Sequence, residues 1–298
     1  MYDIIIIGAG PAGISAGIYA VSRGKKTLVL EQAQVGGIIG KVSTVTHYSG
    51  IVPAETGESF ASRMKQQALD AGVEIRYEAV TGVTLTGEIK TIVTDQATYQ
   101  APKVILANGS TPRKLGIPGE AKLAGKGMGM NAPRHGTAYA GKNIYVVGGA
   151  DGAVKEALYL AQFAKTLTII HFEDQLGCIA EFRNKVANTP NIQLMLGSRL
   201  VAVRGEGQVE ELDIRSEADG SIRTLRDPGC GIFVYAGTIP NTQLYTELEL
   251  EGGFIPVNEN METAIPGVYA AGDIRVKQVR QVATAVADGA IAAIRAAM

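Results

Sequence analysis

The residues best suited to chemistry open the chain. Gly8-Ala9-Gly10-Pro11-Ala12-Gly13 fits the spacing G-x-G-x-x-G. A turn of this kind presents backbone N–H groups to an anion. Gly8 permits the tight turn, Gly10 lets a pyrophosphate approach the backbone, and Gly13 lets a helix pack closely on a strand. The helix that follows adds unpaired N–H groups and a partial positive charge. Glu31 stands at the end of the next apolar run, where an acid can accept hydrogen bonds from a ribose. The ligand is therefore a dinucleotide, and this stretch leaves FAD and NAD both open. Gly36-Gly37 permits a second close backbone approach. A variant of the first motif, Gly148-Gly149-Ala150-Asp151-Gly152-Ala153, recurs in mid-chain.

Both turns need the same frame, a buried strand before and a helix after. Residues 2–7 form a β-branched run suited to a buried parallel strand, residues 14–22 read as a helix stopped by Gly24, and residues 26–30 as a second strand. The same order returns with a strand at 143–147, a helix at 154–163 and a strand at 167–170 that ends in His171-Phe172-Glu173. The chain thus carries two βαβ units. This predicts an α/β protein with two Rossmann-like, three-layer ββα dinucleotide-binding domains. Residues 57–71 have helical spacing, 73–77 read as a strand, and 80–94 alternate as a hairpin. Buried strands are expected at 104–109, 231–237 and 267–273, further strands at 192–196 and 200–203, a hairpin pattern at 209–214, and an alanine-rich helix at 281–297. Proline and glycine cluster at 112–120 and again at 238–241, marking two crossings between domains. The second domain, 114–240, is therefore inserted into the first, 1–113 and 241–298.

Composition narrows the function classes. With 28 basic and 29 acidic residues and no basic block, nucleic acid is not an expected partner. Charges interrupt every apolar run before it reaches spanning length, and no basic region precedes the first one, so neither a membrane segment nor a signal peptide is expected. The two cysteines, Cys178 and Cys230, form no short-spaced pair. They suit a reducing cytoplasm and supply neither a disulfide framework nor a metal site.

Taken together, several blocks resemble the low-molecular-weight thioredoxin reductase family of flavoproteins over nearly the whole chain. They are the first glycine turn, Ile105-Leu106-Ala107-Asn108-Gly109, Val147-Gly148-Gly149-Ala150-Asp151-Gly152-Ala153, the stretch 261–271, Gly272-Asp273 and Arg280-Gln281-Val282. The resemblance implies that Gly8, Gly10, Pro11, Ala12, Gly13 and Glu31 hold the ADP half of FAD. Gln32, Gly36, Gly37, Ile38, His47, Val80, Ala107, Asn108 and Gly109 would add to that site. Gly272 and Asp273 would hold the ribityl chain, with Arg280, Gln281 and Val282 at the flavin ring. It also implies a homodimer, with the pyridine-nucleotide domain inserted in the FAD domain.

The chain departs from the family in three places. Where the family has Cys-x-x-Cys-Asp, this sequence reads Asn131-Ala132-Pro133-Arg134-His135. Dithiol exchange needs one thiolate to attack and a second thiol to resolve. Ala150 replaces the second glycine of the middle turn and crowds a pyrophosphate. Finally, Glu173 stands where the family's arginines meet the 2′-phosphate of NADPH, which favours NADH if a pyridine nucleotide binds. The expected activity is an FAD-dependent oxidoreductase without the dithiol. It would take electrons from NADH, ferredoxin or reduced flavin and pass them to an acceptor other than thioredoxin. Gly148, Gly149, Ala150, Asp151, Gly152, Ala153 and Glu173 are the candidate NADH residues. Arg134 is the candidate for charge near the flavin and His135 for proton transfer. The chain stops directly after its last helix, which weighs against the ferredoxin–NADP reductases that cover the flavin with a C-terminal extension. The alternatives are a non-catalytic flavin-binding protein and an enzyme with a second flavin in the middle domain.

Overall fold

A computed structural model describes all residues, 1–298. The chain divides into two compact units, Met1–Thr111 with Ile239–Met298, and Pro112–Thr238. In chain order the first unit starts with β1 (Ile4–Ile7), α1 (Pro11–Val21), β2 (Thr27–Glu31), α2 (Gly57–Asp70) and β3 (Glu74–Tyr77). It continues with β4 (Val80–Thr84), β5 (Lys90–Thr94), β6 (Thr98–Ala101), β7 (Lys103–Leu106) and β8 (Ser110–Pro112). The second unit holds α3 (Glu120–Leu123), α4 (Ala132–His135), β9 (Asn143–Val147), α5 (Asp151–Leu160), β10 (Thr166–Ile170), α6 (Ala180–Ala187) and β11 (Ile192–Met195). Then come β12 (Ser198–Arg204), β13 (Glu211–Ser216), β14 (Ile222–Arg226) and β15 (Gly231–Val234). The chain returns through β16 (Thr238–Pro240) to β17 (Val268–Ala270) and α7 (Val282–Ala296) of the first unit.

In the first unit the parallel sheet runs β17-β7-β1-β2-β3. Strand pleating splits its buried side chains between two cores. Ile4 and Ile6 face α1, α2 and α7, whereas Ile5 and Ile7 face the antiparallel β4-β5-β6 layer. Each of these four isoleucines is almost fully buried, worth about 1.5–3 kcal/mol apiece. The second unit repeats the plan with β11-β10-β9-β15 as its parallel sheet and β12-β13-β14 as its antiparallel layer. Ile144 and Val146 meet the helices there, and Tyr145 and Val147 meet the other sheet. These are the expected Rossmann-like three-layer domains. The two crossing segments, β8 and β16, pair with each other.

Local differences from the sequence reading have simple causes. Both glycine-turn helices begin earlier than their apolar periodicity: α1 starts at Pro11 rather than residue 14, and α5 at Asp151 rather than residue 154. Proline at the first helical position loses only an N–H that has no partner within the helix. The hairpin expected at 80–94 is the first part of a three-stranded meander, and the pattern at 209–214 gains β14 as a third strand. No helix is long and apolar enough to cross a membrane.

Candidate functional site

The first glycine turn is shaped by its neighbours. Gly8 lies at φ +100°, and a Cβ there would sit 2.6 Å from the Ala107 carbonyl oxygen, so the end of β7 also demands glycine. A Cβ on Gly13 would overlap the carbonyl oxygen of Gly8. Gly10, by contrast, has nothing within 4 Å of where its Cβ would be. Its backbone therefore faces open space at the start of α1. The turn is fixed from both sides: Ala9 donates its N–H to Glu31 Oε2 at 2.9 Å, and its carbonyl accepts from the Gly36 N–H at 2.9 Å. Gly36 and Gly37 both have positive φ, and a Cβ on Gly37 would stand 3.5 Å from the Gly10 Cα. The second glycine pair thus lies against the first turn.

Glu31 also accepts from the Ala33 N–H through Oε1 at 2.9 Å. Each carboxylate oxygen makes one backbone bond and keeps a second lone pair for a ribose. Glu31→Ala is expected to remove both the cap on Ala9 and the sugar acceptor. Dinucleotide affinity should fall about tenfold or more in a fluorescence titration. Unchanged affinity would show that the carboxylate serves the turn alone.

The other sequence-selected residues of this unit lie in several places. Gln32, Ile38 and His47 are exposed, and His47 takes a left-handed φ of 56°. Val80 begins β4 and is half-buried. Ala107 is buried and Gly109 is left-handed with open space beside it. Asn108 commits its side chain within the unit: it donates to the Asn241 carbonyl at 2.9 Å and accepts from the Tyr245 hydroxyl at 2.7 Å. Asn241 returns a bond to the Asn108 carbonyl at 2.7 Å.

The second part of the site follows β17. Gly272 is left-handed at φ +80°, and a Cβ there would come 2.9 Å from that of Ala12. Asp273 Oδ1 is buried without a hydrogen-bond partner. Burial pushes its carboxyl above the usual range, against the pull of Lys277 and Arg280. An orphaned acceptor of this kind fits a polyhydroxyl chain that donates to it. Arg280 stacks its guanidinium 4.2 Å from the Phe254 ring centroid, and its Nε is also buried without a partner. Gln281 precedes α7, which begins at Val282. Open backbone at Gly10, an anchored Glu31 and unsatisfied groups at Asp273 and Arg280 are what an extended dinucleotide with a sugar-alcohol linker needs, so these residues fit FAD.

The second unit's turn is more crowded. Gly148 lies at φ +131° beside the Tyr235 carbonyl. A Cβ on Gly149 would overlap the His171 imidazole, which is buried against the turn. Ala150 precedes α5 in ordinary extended geometry, and its methyl group stands where Gly10 has none. Asp151 accepts from the Ile179 N–H at 2.8 Å, Gly152 faces open space, and Ala153 is buried. Glu173 is exposed and meets His171 Nε2 at 3.1 Å.

The segment 131–135 forms a short capped turn. Asn131 Oδ1 accepts from the Arg134 N–H at 3.1 Å, and His135 Nδ1 accepts from the Asn131 N–H at 3.0 Å. That second bond uses Nδ1 of the ring as an acceptor. The Arg134 side chain is exposed. Both cysteines are buried and unpaired. Burial pushes the Cys178 thiol up, and with Asp227 nearby pushes Cys230 to about 12. Both therefore stay protonated and are poor nucleophiles at neutral pH.

Sequence reasoning missed Asp288, Arg275 and Lys277, which meet behind the Gly272–Asp273 turn. One signal was available: Asp288 is the single acid in α7, on the same face as Ala285 and Ala292.

Comparison with known proteins places these features in context. Residues 2–289 match the pyridine nucleotide-disulphide oxidoreductase family. A thioredoxin reductase of Peptoclostridium acidaminophilum is 40% identical over 302 residues, covering 99% of this chain and 96% of the relative. The crystal structure of Lactococcus lactis thioredoxin reductase superimposes with a TM-score of 0.95 at 33% identity, covering 99% of this chain and 98% of that one. A ferredoxin-flavin thioredoxin reductase from Clostridium acetobutylicum is 32% identical, with a TM-score of 0.54, and covers 99% of this chain and 96% of its own.

Proposed function

The chain belongs to the pyridine nucleotide-disulphide oxidoreductase family, in its thioredoxin reductase-like branch, and we propose that this FAD-dependent oxidoreductase passes electrons to an acceptor other than thioredoxin. The carrying observation is the state of its sulfur. The chain has two cysteines, both buried and both held as thiols, and on the resemblance to the branch Asn131 and Arg134 would take the places of its dithiol. When bound, FAD supplies a ring that accepts a hydride or single electrons and passes them on. The protein's part is to hold and polarise it. The glycine turn of the first unit receives the pyrophosphate, Glu31 the ribose and Asp273 the ribityl hydroxyls. Arg280 brings positive charge to the ring end. In the second unit, the turn from Gly148 to Ala153 is the proposed pyridine-nucleotide site. Arg134 and His135 are the proposed charge- and proton-handling pair. We assign a homodimer by the same family membership.

Glu173 favours NADH over NADPH, because a carboxylate repels a 2′-phosphate but accepts from free ribose hydroxyls. In anaerobic stopped flow, NADH should bleach the flavin band about tenfold faster than NADPH, a difference of about 1.4 kcal/mol. Equal rates would overturn the preference for NADH, and reduction of thioredoxin would overturn the non-thioredoxin acceptor.

A second donor is supported by the crowded second turn. The Ala150 methyl and the His171 ring both narrow the pyrophosphate approach. On this reading reduced ferredoxin, not NADH, delivers the electrons. The same experiment with reduced ferredoxin or free reduced flavin decides between them, and failure of every donor would mark a flavin-binding protein without turnover.

A further inference from the structure

We propose that Asp288 is a positioning residue for the cofactor: its buried carboxylate ties the segment from Gly272 to Gln281 to the helix that also backs the first glycine turn. The inference rests on the assignment of FAD to the first unit. Asp288 is 4% exposed. Its two oxygens accept four bonds, all from one segment. Oδ2 takes the Gly272 N–H at 3.1 Å, Arg275 Nε at 2.8 Å and Lys277 Nζ at 2.8 Å, and Oδ1 takes Arg275 Nη2 at 2.7 Å. That segment carries Asp273, Arg280 and Gln281. Across the helix, Gly289 lies so close to α1 that a Cβ would overlap the Ala12 carbonyl oxygen, and Ser15 donates to the Val286 carbonyl at 2.7 Å. One helix therefore sets the distance between the pyrophosphate turn and the ribityl end of the site.

The charges explain why an acid is needed. Lys277 and Arg275 are largely buried, and one carboxylate compensates both. Burial opposes ionisation of Asp288, but the bonds from Arg275 and Lys277 outweigh it and hold the carboxyl below the usual range. Lys277 is also close enough to Asp273 to favour its ionised form. A buried cation that loses its partner is left uncompensated, and the other acid that Lys277 acts on is Asp273, whose Oδ1 has no partner. Without Asp288, Lys277 would capture Asp273 and remove it from the cofactor.

The test is FAD binding to apoprotein by fluorescence quenching, with apoprotein thermal unfolding measured alongside. Asp288→Asn should weaken FAD by about 10- to 100-fold. Adding Lys277→Met should recover the part of that loss caused by the competing cation, while the lost bonds to Gly272 and Arg275 keep the rest. Asp288→Glu keeps the charge but shifts the reach. It should weaken FAD about tenfold while the apoprotein unfolds within a few degrees of the parent, and it serves if the asparagine variant does not fold. Parent-like affinity in Asp288→Asn or in Asp288→Glu would overturn the proposal. If the parent protein binds no FAD, the cofactor assignment itself fails. If the parent binds it and the variants bind it equally well, only the role of Asp288 fails.

Discussion

Gly13→Ala is expected to weaken FAD binding by about 10- to 100-fold. The added methyl would overlap the Gly8 carbonyl oxygen, which is backbone and cannot swing away as a side chain can. Relief requires α1 to lift from β1, and that moves the N–H groups of Ala12 and Gly13, which have no partner within the helix. Overpacking of this kind costs about 1–3 kcal/mol. Where the displaced groups are the cofactor's own donors, the cost appears in binding as about a 10- to 100-fold rise in Kd. The corresponding residue of the second turn is Ala153, so alanine is not forbidden by this type of turn in general. It is forbidden at 13 by the close seat of α1. Titration of apoprotein with FAD measures the effect, and parent-like affinity would mean that the helix shifts at no cost.

The second large effect concerns electron capacity. Anaerobic reduction by dithionite should consume about two electrons per bound FAD, the capacity of the flavin alone. An enzyme with a flavin and a reactive dithiol would take about four. Asn131→Cys/Arg134→Cys places two thiols one helical turn apart, within disulfide reach. It should raise uptake to about four electrons, at a cost of about 1 kcal/mol from the lost Asn131 cap. Uptake of four electrons by the unaltered protein would require Cys178 and Cys230 to react, against their burial, and would end the proposal of a non-thioredoxin acceptor.

The parallel frames were legible because their strands carry little but apolar, mostly β-branched residues, and because glycines punctuate both turns at fixed spacing. Helix starts were not, since Pro11 and Asp151 precede the first apolar repeat. Helix α6 was missed because it buries only Phe182 and Val186. The turn, Glu31 and Asp273 could be named from residue types. The cluster behind them could not. Asp288 meets Gly272, Arg275 and Lys277 only after β17 and α7 have packed, and its place as the single acid of an alanine-rich helix does not name those partners. Asn108 also bonds Asn241 and Tyr245, partners more than a hundred residues away that its place in the sequence does not reveal.

The order in which the first unit receives its parts has a biosynthetic consequence. The ribosome makes the glycine turn at the outset but delivers Asp273 and the helix behind Ala12 only after all of Pro112–Thr238. Until then, the growing chain leaves the face of α1 that packs on α7 uncovered and presents one half of a cofactor cradle. FAD capture is therefore expected late: a chain cut before Val282 should purify without flavin absorbance, and a yellow product would show that α7 is not needed to hold the cofactor.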